Sequence, residues 1–227
     1  APGGFNDPGG GGSPGDGSIE LCPHPTIIGE FVPCEEQIIN SLQNPCLKDI
    51  AELLVQENLG VYFNSVIQQV FGQSDRLNLI FRESNYRLKL AFTTVDRKDP
   101  DFTQISINFN PSYMYNHSRE FIAAAMFHEA IHAYVDIEPG FIDQLMQHTD
   151  IMNNYIGRIN GALKDAFPNL TDKQADALGF QFLNDVLQNN PSKFNEAIQD
   201  RGFSSVQDVI NISQPFSDGT GGTDCNN

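Results

Sequence analysis

The residues best suited to chemistry stand in one short stretch, His128-Glu129-x-x-His132. On an α-helix, side chains four residues apart project from the same face, with Cβ atoms about 6 Å apart. Two imidazoles placed in this way can both direct a ring nitrogen at one Zn²⁺ ion about 2.0–2.1 Å away. Glu129 lies beside the first imidazole, where its carboxylate can take a proton from a water molecule on the metal. The spacing therefore predicts a zinc site with Glu129 as general base.

The segment around this motif, residues 121–136, consists mostly of Ala, Phe, Met and Ile on all sides of the expected helix. Such a helix is buried on most faces, and polar side chains within it destabilise the fold unless they have a partner. A bound metal ion supplies that partner. The alternative is a pair of hydrogen-bonded core histidines beside an exposed glutamate, which needs no metal.

A third metal ligand is expected downstream, because catalytic zinc usually has three protein ligands and one water. The candidates are one histidine and four acidic residues: Asp136, Glu138, Asp143, His148 and Asp150. From Phe141 onwards apolar residues recur at helical spacing, and His148 falls within that stripe. Asp150 lies about 200° from His148 around such a helix, and Asp143 about 140°. We therefore predict His148 as the third ligand, the alternative being a lone core histidine.

HEAIHAY, followed by a histidine 16 residues after His132, resembles the SprT-like zinc metallopeptidases over about residues 100–165. That family carries its first two ligands and its general base on one helix and a third histidine on the next. The matching residues of this chain are His128, Glu129, His132 and His148. The resemblance implies a catalytic core that depends on Zn²⁺, and it leaves the substrate open.

The chemistry that follows is hydrolysis of peptide bonds by a metal-activated water molecule, which needs a group to stabilise the developing oxyanion. Tyr155 lies two helical turns after His148 on the same stripe, and we predict it for that role. Tyr134 and Arg119 are rivals, and a plain core aromatic is the alternative for Tyr155. Asp176 is a further hypothesis, either as a hydrogen-bond partner of a ligand histidine or as part of a solvated helix face.

The elements that must position these residues form an α+β arrangement. Asn44-Pro45 is typical of a helix start, and a second helix is expected over residues 60–72. Strand-like patterns follow over residues 77–81, 86–95 and 102–109, and the chain after Ser118 has a helical pattern. We expect a zincin-like fold, with helices packed on a small, mostly antiparallel sheet and the HExxH helix against it.

The strand at 102–109 has the clearest alternation, with Ile105, Ile107 and Phe109 expected to face inward and its polar residues outward. It directly precedes the expected active-site helix. We predict that it is an edge strand able to pair with an extended substrate, the alternative being an ordinary strand of the sheet.

The two ends of the chain differ in composition from its body. Residues 1–19 are rich in Gly and Pro, which indicates a flexible linker. We expect residues 20–216 to form the peptidase-like domain and residues 217–227 to form a flexible tail. The chain has four cysteines, Cys22, Cys34, Cys46 and Cys225, of which the first and the last lie in or near these ends. That placement favours disulfides that attach the ends to the body, and four cysteines leave three connectivities open. Disulfides indicate an oxidising compartment, so we expect a secreted or cell-surface protein, extracellular or periplasmic and bacterial.

The charge balance, 29 acidic against 13 basic side chains with a net charge of −16, excludes classes of partner. Phosphate backbones and anionic membrane surfaces would repel the chain, so we expect no nucleic acid and no membrane partner. The longest apolar run is too short for a membrane span. The expected partner is a protein or peptide substrate. We expect the chain itself to be a monomer that is tethered to a surface or to a larger polypeptide. Two alternatives remain: a toxin-like effector module of a larger exported protein, and a zinc-containing binding module that does not cleave.

Overall fold

A computed structural model describes residues 38–55, 67, 77–85, 90–98, 103–114, 116–137 and 144–225, all within one compact unit, Glu36–Asn227. In this part the chain is α+β, as expected, with helices packed on a small sheet. The predicted linker at 1–19 lies outside the described residues. So does the predicted helix at 60–72, apart from Ile67, which is helical and buried.

Four strands form the described sheet: β1 (Ile38–Asn40), β2 (Leu77–Glu83), β3 (Ala91–Lys98) and β4 (Thr103–Phe109). Their order is β1-β2-β4-β3, with β1–β2 and β2–β4 parallel and β3–β4 antiparallel. The expectation of a mostly antiparallel sheet is therefore wrong, because the sheet is mixed. Parallel pairing needs a crossover of a dozen or more residues, and the long segment between β1 and β2 provides one.

The strand predicted at 102–109 is β4, which lies between β2 and β3 and is not an edge. The prediction that it pairs with substrate is wrong, and β3 holds that edge of the described sheet instead. Ile105, Ile107 and Phe109 are buried, as expected. Ser106 and Asn108, expected to face outward, are buried as well. Both belong to a hydrogen-bonded polar layer in which the Ser106 hydroxyl donates to Asp96.

The helices occupy most of the remaining described residues: α1 (Pro45–Leu54), α2 (Pro111–Met114), α3 (Arg119–Ile137), α4 (Gln144–Asp150), α5 (Ile156–Ala166), α6 (Asp172–Phe180), α7 (Asn184–Asn189), α8 (Pro191–Asp200) and α9 (Val206–Ser217). A π-helical turn, Ile151–Tyr155, joins α4 to α5. The predicted start of α1 is confirmed, because the Leu47 amide donates to the Asn44 side chain at 3.1 Å. Among the described helices, none is both long and apolar enough to cross a membrane.

The chain after α9 folds back over the beginning of α3. The Thr223 amide and hydroxyl donate to the buried Glu120 carboxylate, both at 2.8 Å at their shortest. Gly222, at φ 79°, lies so close that a Cβ atom there would stand 2.4 Å from Glu120 Oε2. A disulfide joins Cys46 of α1 to Cys225, with Cα atoms 5.6 Å apart. The described part of the predicted flexible tail is thus held against the domain, and a disulfide forms as expected.

Candidate metal centre

Helix α3 carries His128 and His132 through the middle of the protein. The Ser118 hydroxyl accepts the Phe121 amide at 3.2 Å, which caps the first turn. From there α3 packs against β3 and β4 on one side and against α1, α5 and α6 on others. This explains its apolar composition on all faces. The two imidazoles are only 3% and 7% exposed, so neither has ready access to bulk water.

The ring of His148, on α4, meets these two imidazoles and is itself buried. The Nε2 atoms form a small triangle: 3.0 Å from His128 to His132, 3.1 Å from His128 to His148, and 2.8 Å from His132 to His148. The three residues form a group that could hold a metal ion. The structure therefore brings together the three histidines that were predicted as ligands.

Hydrogen bonds at the opposite ring nitrogens fix the orientation of two of the imidazoles. His148 Nδ1 lies 2.5 Å from Asp185 Oδ1, and His132 Nδ1 lies 2.7 Å from Gln147 Oε1. Both oxygens are acceptors, so each Nδ1 carries the proton and each Nε2 presents a lone pair to the triangle. Gln147 is itself oriented, because its amide donates to Asp136 at 2.6 Å.

His128 is held differently from its two neighbours. Its Nδ1 atom is buried and has no hydrogen-bond partner within the described ranges. The Phe182 ring packs against the imidazole, with ring centroids 5.5 Å apart. Burial, and then the neighbouring His132 and His148, lower the pKa of His128 well below its usual value. Apolar packing rather than hydrogen bonding therefore orients this imidazole.

The donor set fits a divalent metal ion. Burial lowers the pKa of His132 as well as that of His128, so both are held in the neutral form that binds metals. Lone pairs of neutral imidazoles about 3 Å apart repel one another unless a proton or a cation lies between them. A tetrahedral ion with Zn–N distances of about 2.0–2.1 Å requires N···N distances of about 3.3 Å, only slightly wider than the observed triangle. Three imidazoles leave the fourth position of such an ion open.

Glu129, the predicted general base, is half-buried and is bound from the sheet. The Thr93 hydroxyl of β3 lies 2.8 Å from Glu129 Oε2 and 2.9 Å from the Glu129 carbonyl oxygen. The negative charge of Glu129 also raises the pKa of His132, against the larger effect of burial. The predicted base therefore lies close to the metal centre.

The residues predicted to stabilise the oxyanion lie in two places. Tyr155 ends the π-helical turn, with its ring 6.2 Å from that of Tyr134 and the Arg158 guanidinium 5.0 Å above it. Arg119 stands in the first turn of α3 and pairs with Asp49 at 3.8 Å, about 13 Å along the helix from His128.

The predicted role of Asp176 as a partner of a ligand histidine is not found. Its carboxylate instead accepts a hydrogen bond from Arg201 at 3.0 Å. Burial raises the pKa of Asp176, although the Arg201 charge opposes that change.

Asp185, Gln147 and Thr93 are the residues of the centre that sequence reasoning missed. Gln147 had an available signal, because it precedes His148 and stands 15 residues after His132 on a helix already assigned to the site. Asp185 and Thr93 lie 37 and 36 residues along the chain from the side chains that they bind. No local pattern marks contacts of that kind.

Comparisons with protein-family models, with curated proteins and with solved structures gave no significant match to this chain.

Proposed function

We propose that the protein is a zinc-dependent peptidase of the zincin type that hydrolyses peptide bonds, with Glu129 as its general base. The observation that carries this proposal is the triangle of Nε2 atoms, 2.8–3.1 Å on its edges, at the centre of three buried imidazoles. Three imidazoles with one open position form the ligand set of catalytic rather than structural zinc. The resemblance of the motif to the SprT-like zinc metallopeptidases supports the same activity.

The metal and the chain have separate tasks in this proposal. A bound zinc ion lowers the pKa of a water ligand to about 7 and polarises a carbonyl group. His128, His132 and His148 hold the ion. Glu129 accepts the proton of the attacking water at its carboxylate and later donates it to the leaving amine. We keep Tyr155 as the residue proposed to stabilise the oxyanion.

The protein or peptide substrate is proposed to approach along β3. This strand is the edge of the described sheet on the side of Glu129, since Thr93 contacts that residue. An extended peptide can pair with an exposed edge strand through main-chain hydrogen bonds. The Cys46–Cys225 disulfide supports a secreted or cell-surface location, because such bonds persist in oxidising compartments.

Metal analysis of the purified protein beside two variants tests the proposal. We expect about one equivalent of zinc in the wild type and in Glu129→Gln, and its loss in His148→Ala. His117→Ala is the matched control for the histidine, because His117 lies away from the triangle and bonds the Ser217 carbonyl. Absence of stoichiometric zinc from the wild type would overturn the proposal.

Cleavage of unfolded casein tests the reaction itself. We expect Glu129→Gln to lose cleavage while it keeps zinc, whereas Glu196→Gln, an exposed glutamate of α8, keeps both. Equal cleavage by Glu129→Gln and wild type would identify a contaminating peptidase. A wild type that holds zinc and cleaves nothing would point to a binding module.

A further inference from the structure

One side chain of the sheet donates a hydrogen bond to the general base. Thr93 stands on β3 opposite Ile107 of β4, with its side chain on the face that packs against α3. Its hydroxyl lies 2.8 Å from Glu129 Oε2 and 2.9 Å from Glu129 O. One residue of the sheet therefore contacts both the side chain and the main chain of the same glutamate.

This double contact restricts the side chain of Glu129. A free glutamate side chain samples many rotamers, and confining it to one costs conformational entropy that this contact must offset. A hydroxyl has one proton to donate. The charged carboxylate is a stronger acceptor than the neutral carbonyl oxygen, so the hydrogen bond goes to Glu129 Oε2 and holds the carboxylate beside β3. Threonine suits this task because its β-branched side chain is stiff at χ1.

The position of Thr93 is itself fixed from the opposite face of β3. The register of β3 against β4 shifts between Val95 and Arg97, and Asp96 is the additional residue. Its carboxylate accepts hydrogen bonds from Arg82 at 3.0 Å and from Ser106 at 2.5 Å, on β2 and β4. These contacts hold β3 in register at Asp96, three residues after Thr93.

We propose that Thr93 is the positioning residue of Glu129, and that its hydroxyl holds the carboxylate in the orientation needed for proton transfer. The inference rests on the proposed peptidase function. Thr93 acts only through Glu129. A general base displaced by about 1 Å can lose about 100-fold in rate, so the hydroxyl is expected to affect kcat while substrate affinity is retained.

Three variants separate the hydroxyl from the shape of the side chain. Thr93→Val keeps the branched shape and removes the hydroxyl, whereas Thr93→Ser keeps the hydroxyl. Thr94→Val makes the same change one residue along, where the hydroxyl donates to Asp96 at 3.0 Å on the other face of the strand. Arg82 and Ser106 still donate to Asp96 in this variant, so β3 stays in register. For casein cleavage we expect kcat of Thr93→Val to fall about 10–100-fold, with KM within twofold and zinc content unchanged. Thr93→Ser and Thr94→Val should stay within about threefold of wild type.

Wild-type kcat in Thr93→Val, or an equal loss in Thr93→Ser, would overturn the inference. A second readout does not depend on activity: side-chain order of Glu129 in the zinc-loaded protein, from NMR of ¹³C-labelled glutamate assigned with Glu129→Gln. We expect Glu129 to become mobile in Thr93→Val and to stay ordered in Thr93→Ser. Unchanged order in Thr93→Val would reject the positioning role even if the wild type cleaves. Ordered Glu129 in an inactive wild type would instead reject the peptidase function alone.

Discussion

The N-terminal end of α3 is held by hydrogen bonds to the end of α9 and to the segment that follows it. The Ser118 amide donates to the Phe216 carbonyl at 2.9 Å, the Arg119 amide to the Thr223 carbonyl at 2.8 Å, and Glu120 receives the two donors of Thr223. About two turns further along, three imidazole nitrogens face one another across 2.8–3.1 Å. The first region is complete without any ion, whereas the three imidazoles of the second form a group that could hold one.

This difference separates the stability of the domain from the formation of its site. Changes at the tail and the disulfide should alter the free energy of unfolding and leave metal affinity nearly constant. Changes around the imidazoles should alter metal affinity, and they should lower the free energy of unfolding of the metal-bound protein only through that loss of affinity.

The largest effect on stability is expected for the double variant Cys46→Ser/Cys225→Ser. The bridge joins residues 179 positions apart, and loss of a native disulfide costs about 2–5 kcal/mol, with more for longer loops. Urea unfolding measures this change. Zinc affinity, measured by competition with a chromophoric chelator, should stay within about threefold of wild type. A variant that unfolds normally but no longer binds zinc would contradict the separation of stability from zinc binding.

Removal of the metal should make stability depend on pH. Burial lowers the pKa of His128 and His132 below the usual value, so below about pH 6.5 the unfolded chain binds protons that the folded chain does not. Stability of the chelator-treated protein should therefore fall as the pH drops from 6.5, by at most about 2.7 kcal/mol per pH unit for two such groups.

Urea unfolding at pH 7.5 and 5.5 measures this dependence. His128→Phe should reduce it, and His117→Ala, at the other end of α3, should not. Equal stability of the metal-free wild type at both pH values would show that the imidazoles are not held neutral.

Asp185→Asn should weaken zinc binding about 10–100-fold, because the carboxylate orients His148 through its Nδ1 proton. Asp176→Asn is the matched control. Its carboxylate lies on the preceding helix and bonds Arg201 instead of an imidazole, so this variant should keep its zinc affinity. A similar loss of affinity in both variants would show that Asp185 has no specific role.

The smallest effect is expected for Thr223→Val, which removes one hydrogen bond to Glu120. The free energy of unfolding should fall by about 1–2 kcal/mol, while casein cleavage and zinc content stay at wild-type levels. Thr220→Val, in the exposed turn beside Asp218, should change stability less. Loss of zinc in Thr223→Val would mean that the start of α3 and the imidazoles are coupled.

The features that the sequence predicted are those fixed by local spacing. His128 and His132 are one helical turn apart and so share a face of their helix, and His148 falls on the apolar, inward-facing stripe of the next helix. The start of α1 and the inward face of β4 follow from equally local signals. Each depends on residues within a few positions of one another.

The features that were missed depend on which distant elements meet. Alternation in β4 predicted two faces, but it could not show that Ser106 and Asn108 would be covered on the second one. The partner of a strand is likewise not encoded in its own period, which is why β2 was not expected to pair with β4 in parallel. Asp185 and Asp176 are both helix aspartates, and only the tertiary packing decides which of them meets an imidazole.

The π-helical turn between α4 and α5 has a consequence for how the third ligand is aimed. The Ile156 amide donates to the Ile151 carbonyl, five residues back, so this turn contains one residue more than a regular α-helical turn. Each residue corresponds to about 100° of rotation. Deletion of one residue from Ile151–Tyr155 would fuse α4 and α5 into a continuous helix and rotate His148 by that angle relative to the buried Ile156 and Ile159. The direction of the third ligand is thus encoded in the length of one turn as well as in the identity of its side chains.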